Sequence, residues 1–175
     1  VYKRQTETFA EIAALYVERQ GALHALWEEP GDGEDGPKTV IHGDPHVGNL
    51  FDDGGRTGFL DWGIVMLSPP LRDVSYFLQM ALSIEDRRRH ERDLLRHYLE
   101  VRAALGGAPV GFDAAWRRHR LLASYLVPAC CQIVTFPEAI SPARRTFSEA
   151  FLGRAEAALE DLEVREALRR YAGIR

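Results

Sequence analysis

Apolar residues recur near the start of the chain at the spacing of one helix face. Phe9, Ile12, Leu15, Tyr16, Leu23, Leu26 and Trp27 are separated by threes, fours and their sums, which predicts an amphipathic helix ending near Trp27. The run Pro30 to Lys38, dense in Gly, Pro and Asp, reads as a surface loop. The period then changes. Thr39-Val40-Ile41, Leu50-Phe51 and Thr57 to Leu60 read as three short strands, and Asp53-Gly54-Gly55 supplies a hairpin turn between the last two. Past Pro69-Pro70 the pattern is helical again: Leu71 to Leu82, then a helix capped by Ser83 that carries Leu94, Leu95, Tyr98, Leu99 and Leu105 and stops at Gly106-Gly107. A further helix capped by Asp113 is expected to run to about Phe136 with a kink at Pro128. Ser141-Pro142 opens a last one with Phe147, Phe151 and Leu159 inward.

This order gives a mostly helical α+β body interrupted by one small β element near residues 39 to 61. Its 175 residues suffice for one domain with a substantial core. With 46% hydrophobic and 27% charged residues the composition is that of an ordinary globular protein. A net charge of −4 offers no global positive field for a polyanion, so no nucleic-acid partner is expected. The most apolar stretch, Leu121 to Phe136, is interrupted by Ser124, Pro128 and Gln132. It is shorter than the roughly 18 to 20 residues of a membrane span and reads as a buried helix. Cys130 and Cys131 are adjacent, without zinc spacing or a disulfide framework, which points to a reducing, cytoplasmic setting. The start, without Met or a signal-peptide pattern, reads as a piece of a longer chain.

The densest polar cluster is His42-Gly43-Asp44-Pro45-His46-Val47-Gly48-Asn49, between two predicted strands. Asp61-Trp62-Gly63 begins twelve residues after Asn49, at the end of another strand. Two carboxylates and an amide framed in this way suit phosphoryl transfer, which asks of the protein mainly positioning and charge neutralisation. In that reading Asp44 accepts or orients the proton of an attacking hydroxyl. Asn49 and Asp61 supply oxygens to Mg²⁺, a hard cation that takes a few protein oxygens and completes its shell with phosphates and water.

The string H-G-D-x-x-x-x-N, followed by a hairpin and D-W-G, resembles the catalytic core of the aminoglycoside phosphotransferase and choline kinase-like family, including its ecdysteroid-kinase-like members. The related protein-kinase signature has the same offsets, H-R-D-x-x-x-x-N and then D-F-G; here Gly43 stands for Arg and Trp62 for Phe. The resemblance implies a kinase-like C-terminal lobe, ATP as phosphoryl donor with Mg²⁺, and a small-molecule alcohol as acceptor. It makes Asp44 the catalytic aspartate and Asn49 and Asp61 the residues that hold the metal and its nucleotide. His42 becomes a structural residue under the loop, and Asp73 in S-P-P-L-R-D-V-S-Y-F-L a brace for the loop's backbone. His46 belongs to the H-x-G-N variant of the loop, with no role assigned. The resemblance spans about Thr39 to Leu78. A kinase-like ATP site also needs a β-rich lobe with a lysine on an apolar strand. Lys3 and Lys38 lie outside any such strand, and the glycines of Pro30 to Gly36 alternate with acids. The nucleotide-covering lobe is therefore expected to precede residue 1, and residues 1–175 to form the catalytic and substrate-binding lobe, inactive alone.

Two rivals bear on the same residues. His42, Asp44 and His46, as H-x-D-x-H, could form half of a metal-dependent hydrolase site, which leaves Asn49 and the Asp61 turn unexplained. A kinase-like lobe could also serve as a non-catalytic binding module. Blander expectations cover the rest. Asp52 and Asp53 are solvated turn residues and Trp62 packs. The charged run from Glu85 to Asp93 is a solvated helix face. Cys130 and Cys131 are buried thiols, and His90, His97 and His119 lie at the surface. Tyr76, Trp116, Tyr125 and Phe136 are candidate pocket linings that also suit the core.

Overall fold

In the computed structural model, which describes residues 5–30, 36–134 and 141–174, chain entry is fixed by Thr6. Its hydroxyl caps the first helix by accepting from Phe9 N, and its own N–H donates to Glu156 Oε1 at 2.9 Å. Helix α1 (Glu7–Glu28) buries Phe9, Ile12, Leu23 and Trp27 and leaves helical geometry locally at Arg19. Four three-residue strands follow: β1 (Thr39–Ile41), β2 (Leu50–Asp52), β3 (Thr57–Phe59) and β4 (Met66–Ser68). They form two separate antiparallel pairs, β2 with β3 and β1 with β4, the latter in register Thr39 to Ser68. Gly54 and Gly55 both have positive φ, 61° and 86°, which the tight β2–β3 turn requires.

Helices α2 (Pro70–Met80), α3 (Ile84–Ala104), α4 (Phe112–Leu122), α5 (Leu126–Val134), α6 (Pro142–Asp161) and α7 (Val164–Tyr171) make up the body. Ser83 and Ser141 cap α3 and α6 as expected, their hydroxyls accepting from Asp86 N and Arg144 N. The core joins Trp27 of α1, Met80 of α2, Leu95 of α3, Leu126 of α5 and Leu159 of α6 into one apolar cluster. The Trp27 indole, 1% exposed, donates to Ser124 Oγ at 2.9 Å, so its one polar atom is satisfied at depth.

Several expectations are corrected. Strand β4 has no signal of its own and exists by pairing with β1. The helix expected from Asp113 begins at Phe112 with Gly111 as cap and breaks into a 3-10 turn at Ala123–Tyr125, ahead of Pro128. Ser124 stabilises that break by donating to Leu121 O at 2.7 Å. A separate helix, α7, follows a left-handed residue, Glu163. Phe147 is 38% exposed, unlike buried Phe151 and Leu159. Cys130 is buried and Cys131 exposed, because neighbours on a helix face directions about 100° apart. Phe136 lies outside the described residues.

The charged run on α3 is only partly a solvated face. Arg87 is 1% exposed and Glu91 7%; both Glu91 oxygens accept from Arg87 Nη1 at 3.1 Å, and Arg87 Nη2 donates to Asp161 of α6. His119 is fully buried, with Nε2 3.5 Å from Glu91 Oε2 and its ring stacked on Trp116. His90 and His97 are at the surface.

Candidate active site

The polar cluster read from the sequence occupies the loop between β1 and β2, and hydrogen bonds from all sides hold it. Asp73, in the first turn of α2, accepts from the backbone of the loop: His42 N donates to Oδ2 at 2.6 Å and Gly43 N to Oδ1 at 3.0 Å. Each carboxylate oxygen therefore satisfies one buried amide, which would otherwise cost about 1–3 kcal/mol. Burial pulls the Asp73 carboxyl above its ordinary range, and the two amides, with charge from Arg72, only partly offset that pull.

Gly43 is a position where no other residue fits easily. Its φ is +90°, and a Cβ there would meet Ile64 O at 2.6 Å. The loop thus lies directly against the segment that follows Asp61-Trp62-Gly63. His42, buried beneath, ties the same two segments. Its Nδ1 lies 3.2 Å from Asp44 N, a donor, and its Nε2 2.9 Å from Leu60 O, an acceptor, so the proton sits on Nε2. The ring packs 4.6 Å from Trp62 and 5.7 Å from Phe59.

Asn49 ends the 3-10 turn Val47–Asn49 and is 7% exposed. Its Nδ2 donates to Asp44 O at 2.9 Å and to Asp44 Oδ2 at 3.3 Å. Asp61 is joined to Asn49 and His42 through its neighbour: Leu60 N donates to Asn49 O at 3.0 Å while Leu60 O accepts from His42 Nε2. Asp61 itself is exposed, in the left-handed region at φ 62°, a conformation that Asp tolerates at modest cost. Trp62 packs on His42 yet keeps 53% of its surface exposed.

Asp44 is half-buried. Burial pulls its carboxyl upward, but hydrogen bonds from His46 and Tyr76 counter that pull, and it is held below the usual carboxylate range. The Asp44 carboxylate is thereby kept ionised near neutral pH. Tyr76, 5% exposed and packed 5.6 Å from Tyr125, has its own ionisation pushed well up by burial and by Asp44. It reads from the sequence as core or pocket lining, whereas the structure adds a hydroxyl turned to Asp44. Its place four residues after Arg72 and three after Asp73, on the face of α2 that carries the brace, is the signal that points to it.

The chemistry of the donors also sorts the metals. Asn49 turns its amide nitrogen to Asp44, which leaves the amide oxygen as its free donor; with the Asp61 carboxylate this is a sparse, all-oxygen set, as Mg²⁺ takes. The hydrolase arrangement fits poorly, because both ring nitrogens of His42 are engaged by backbone groups and have no lone pair to give a metal. Among the described residues no three His, Cys, Asp or Glu side chains gather for a metal.

A largely apolar cavity of about 470 Å³ shares His42 and Asp73 with this frame, with Phe59, Trp62, Phe77 and Tyr98 in its wall, and touches none of Asp44, Asn49 and Asp61. Around the frame Phe51, Leu60, Ile64, Val65 and Leu67 are exposed, a concentration of large apolar side chains unusual for a free surface.

The sequence model of the phosphotransferase enzyme family (APH) matches residues 2–122. The chain belongs to the phosphotransferase enzyme family. Among solved structures, a choline/ethanolamine kinase family protein from Mesorhizobium loti, solved at 2.55 Å, superposes with a TM-score of 0.51 at 18% identity, over 96% of this chain and 59% of that one. At that identity the likeness shows the fold: α+β, mostly α, corresponding to the C-terminal lobe of a kinase-like fold. This phosphotransferase-family chain spans 59% of the length of that neighbour. No curated protein matches it significantly. Among the described residues no helix is long and apolar enough to cross a membrane.

Proposed function

We propose that the chain is the catalytic and acceptor-binding lobe of an ATP-dependent phosphotransferase that moves the γ-phosphoryl group to a hydroxyl of a small molecule. The observation that carries this reading is the joint hold of Asn49 on the carbonyl and the carboxylate of Asp44. It fixes the base while leaving an amide oxygen for a cation beside it. Asp44 orients the acceptor hydroxyl and takes up its proton; Asn49 and Asp61 hold Mg²⁺ and, through it, the nucleotide phosphates. When bound, Mg²⁺·ATP supplies the transferable phosphoryl group and the neutralisation of its charge. His42 and Asp73 keep the loop in shape.

The nucleotide-covering lobe is proposed to lie upstream of residue 1. Two observations support it: the chain spans little more than half of its structural neighbour, and an exposed apolar rim surrounds Asp61. Lys38 does not supply the missing clamp, since its ammonium is exposed and pairs with Glu29 at 3.1 Å. A cytoplasmic setting is in keeping with two free thiols.

The test is phosphoryl transfer by the longer protein with Mg²⁺·ATP against a panel of alcohols and amino alcohols. Asp44→Ala should lower turnover about 10²–10⁴-fold, the range of general-base catalysis, with little change in melting temperature. Equal consumption of ATP by the variant would defeat the role of Asp44 and favour a non-catalytic binding module.

A further inference from the structure

Resting on that reading of the site, we infer that His46 is a positioning residue that acts as a neutral imidazole protonated on Nε2 alone, orienting the Asp44 carboxylate while Gly48 locks its tautomer. The proton's place follows from one contact. Gly48 N lies 2.9 Å from His46 Nδ1, and a backbone amide can only donate, so Nδ1 holds a lone pair. The neutral ring's proton is then on Nε2, which sits 3.4 Å from Asp44 Oδ2.

The ring has little freedom to leave. Its side chain is 16% exposed. Phe151 of α6 meets it edge-on at 5.2 Å and 87°, with Phe147 at 6.0 Å. Gly48 lies flat beneath it: a Cβ there would come within 2.8 Å of His46 Cε1 and 3.0 Å of Nδ1. The spacing His46-Val47-Gly48-Asn49 thereby gains a physical reading. His46 caps the 3-10 turn, Gly48 leaves room for the ring, and Asn49 at the end of the same turn places a second N–H 3.3 Å from the same Oδ2. Two donors from four consecutive residues set the direction of one carboxylate oxygen. The same contacts exclude His46 as the base that deprotonates the acceptor, since neither ring nitrogen keeps a lone pair facing the site.

Two substitutions separate orienting from capping. His46→Asn keeps an oxygen near the Nδ1 position for the Gly48 amide but puts nothing near Asp44. His46→Gln carries an amide N–H to the Nε2 position and loses the cap. In the ¹⁵N-labelled 175-residue chain near neutral pH, long-range ¹H–¹⁵N correlations should show Nδ1 unprotonated and Nε2 protonated. Side-chain couplings should report one Asp44 χ1 rotamer in the wild type and in His46→Gln, and averaged rotamers in His46→Asn. Gly48→Ala, which retains both His46 and Asp44, should average the rotamer as well. In the longer protein with Mg²⁺·ATP, turnover should fall by up to about 100-fold in His46→Asn, the scale of a misplaced reacting group, and less in His46→Gln.

A proton on Nδ1, or a single Asp44 rotamer in His46→Asn, overturns the inference, as does turnover that falls in His46→Gln and not in His46→Asn. The tautomer and rotamer measurements need no substrate. If they hold while the longer protein transfers no phosphate, the orienting role stands and the phosphotransferase reading falls.

Discussion

The loop frame of residues 39–73 and the α3–α4–α6 side of the body both bury charge, yet they treat it in opposite ways. On the body side Arg87 pairs with Glu91 and Asp161, His119 lies 3.5 Å from Glu91, and Arg87, Glu91 and His119 are nearly sealed from water. Such a group ties helices together, its carboxylates taken up by arginine. In the loop frame the carboxylates are bound by backbone amides and imidazoles, which orient them without neutralising them. Asp44 is left ionised in a half-open place, and Asp61 is left exposed. Charge paired with charge serves the fold; charge held by neutral donors stays available for chemistry.

The sharpest way to break this contrast is on the body side. Arg87→Ala would leave Glu91 buried without its partner, and a loss of about 3–5 kcal/mol is expected in chemical denaturation. A loss under 1 kcal/mol would mean that water reaches the network. Next in size is Asp73→Ala, which strips the acceptors from His42 N and Gly43 N; about 2–4 kcal/mol is expected from two buried amides left unpaired. Here, unlike on the body side, the loop should also loosen, seen as faster amide exchange at His42 and Gly43. Unchanged protection of these two amides would contradict the brace.

The smallest effect concerns acid and has opposite signs at two aspartates. The Asp44 carboxyl is held low in the folded state, so its contribution to stability is present above the unfolded value near about 4 and is lost as pH falls through the folded value. The Asp73 carboxyl is held high, so folding prefers its protonated form, and its ionisation subtracts stability as pH rises past the ordinary carboxylate range. Stability measured against pH should therefore show Asp44→Asn losing stability relative to wild type above about pH 4 and converging with it in acid. Parallel curves would contradict the low Asp44 value.

How much of this was readable in the chain depends on how local the cause is. His42, Asp44, His46 and Asn49 lie within eight residues, so their spacing already carries the loop, and the D-W-G turn follows at short range. Strand β4 was not readable: Met66-Leu67-Ser68 has no alternation, and its partner lies more than twenty residues away. His119 was hidden by the arginines around it, although Ala115 four before and Leu122 three after mark its face as buried. Arg87 and Glu91 likewise share a stripe with buried Leu95, a signal that outranks their charge. Spacing puts Tyr76 on the α2 face of Asp73, but the turn of its hydroxyl toward Asp44 comes from packing between elements.

The most direct measurement uses Mn²⁺ in place of Mg²⁺ with a non-hydrolysable ATP analogue, added to the ¹⁵N-labelled chain. If one ion and its phosphates sit among residues 44, 49 and 61, the Asn49 side-chain amide and the backbone amides of Asp44 and Asp61 should broaden together, and Asp61→Ala should abolish the effect. Broadening confined to one of them, or centred on Glu91 or another acidic site of the body, would contradict a shared site.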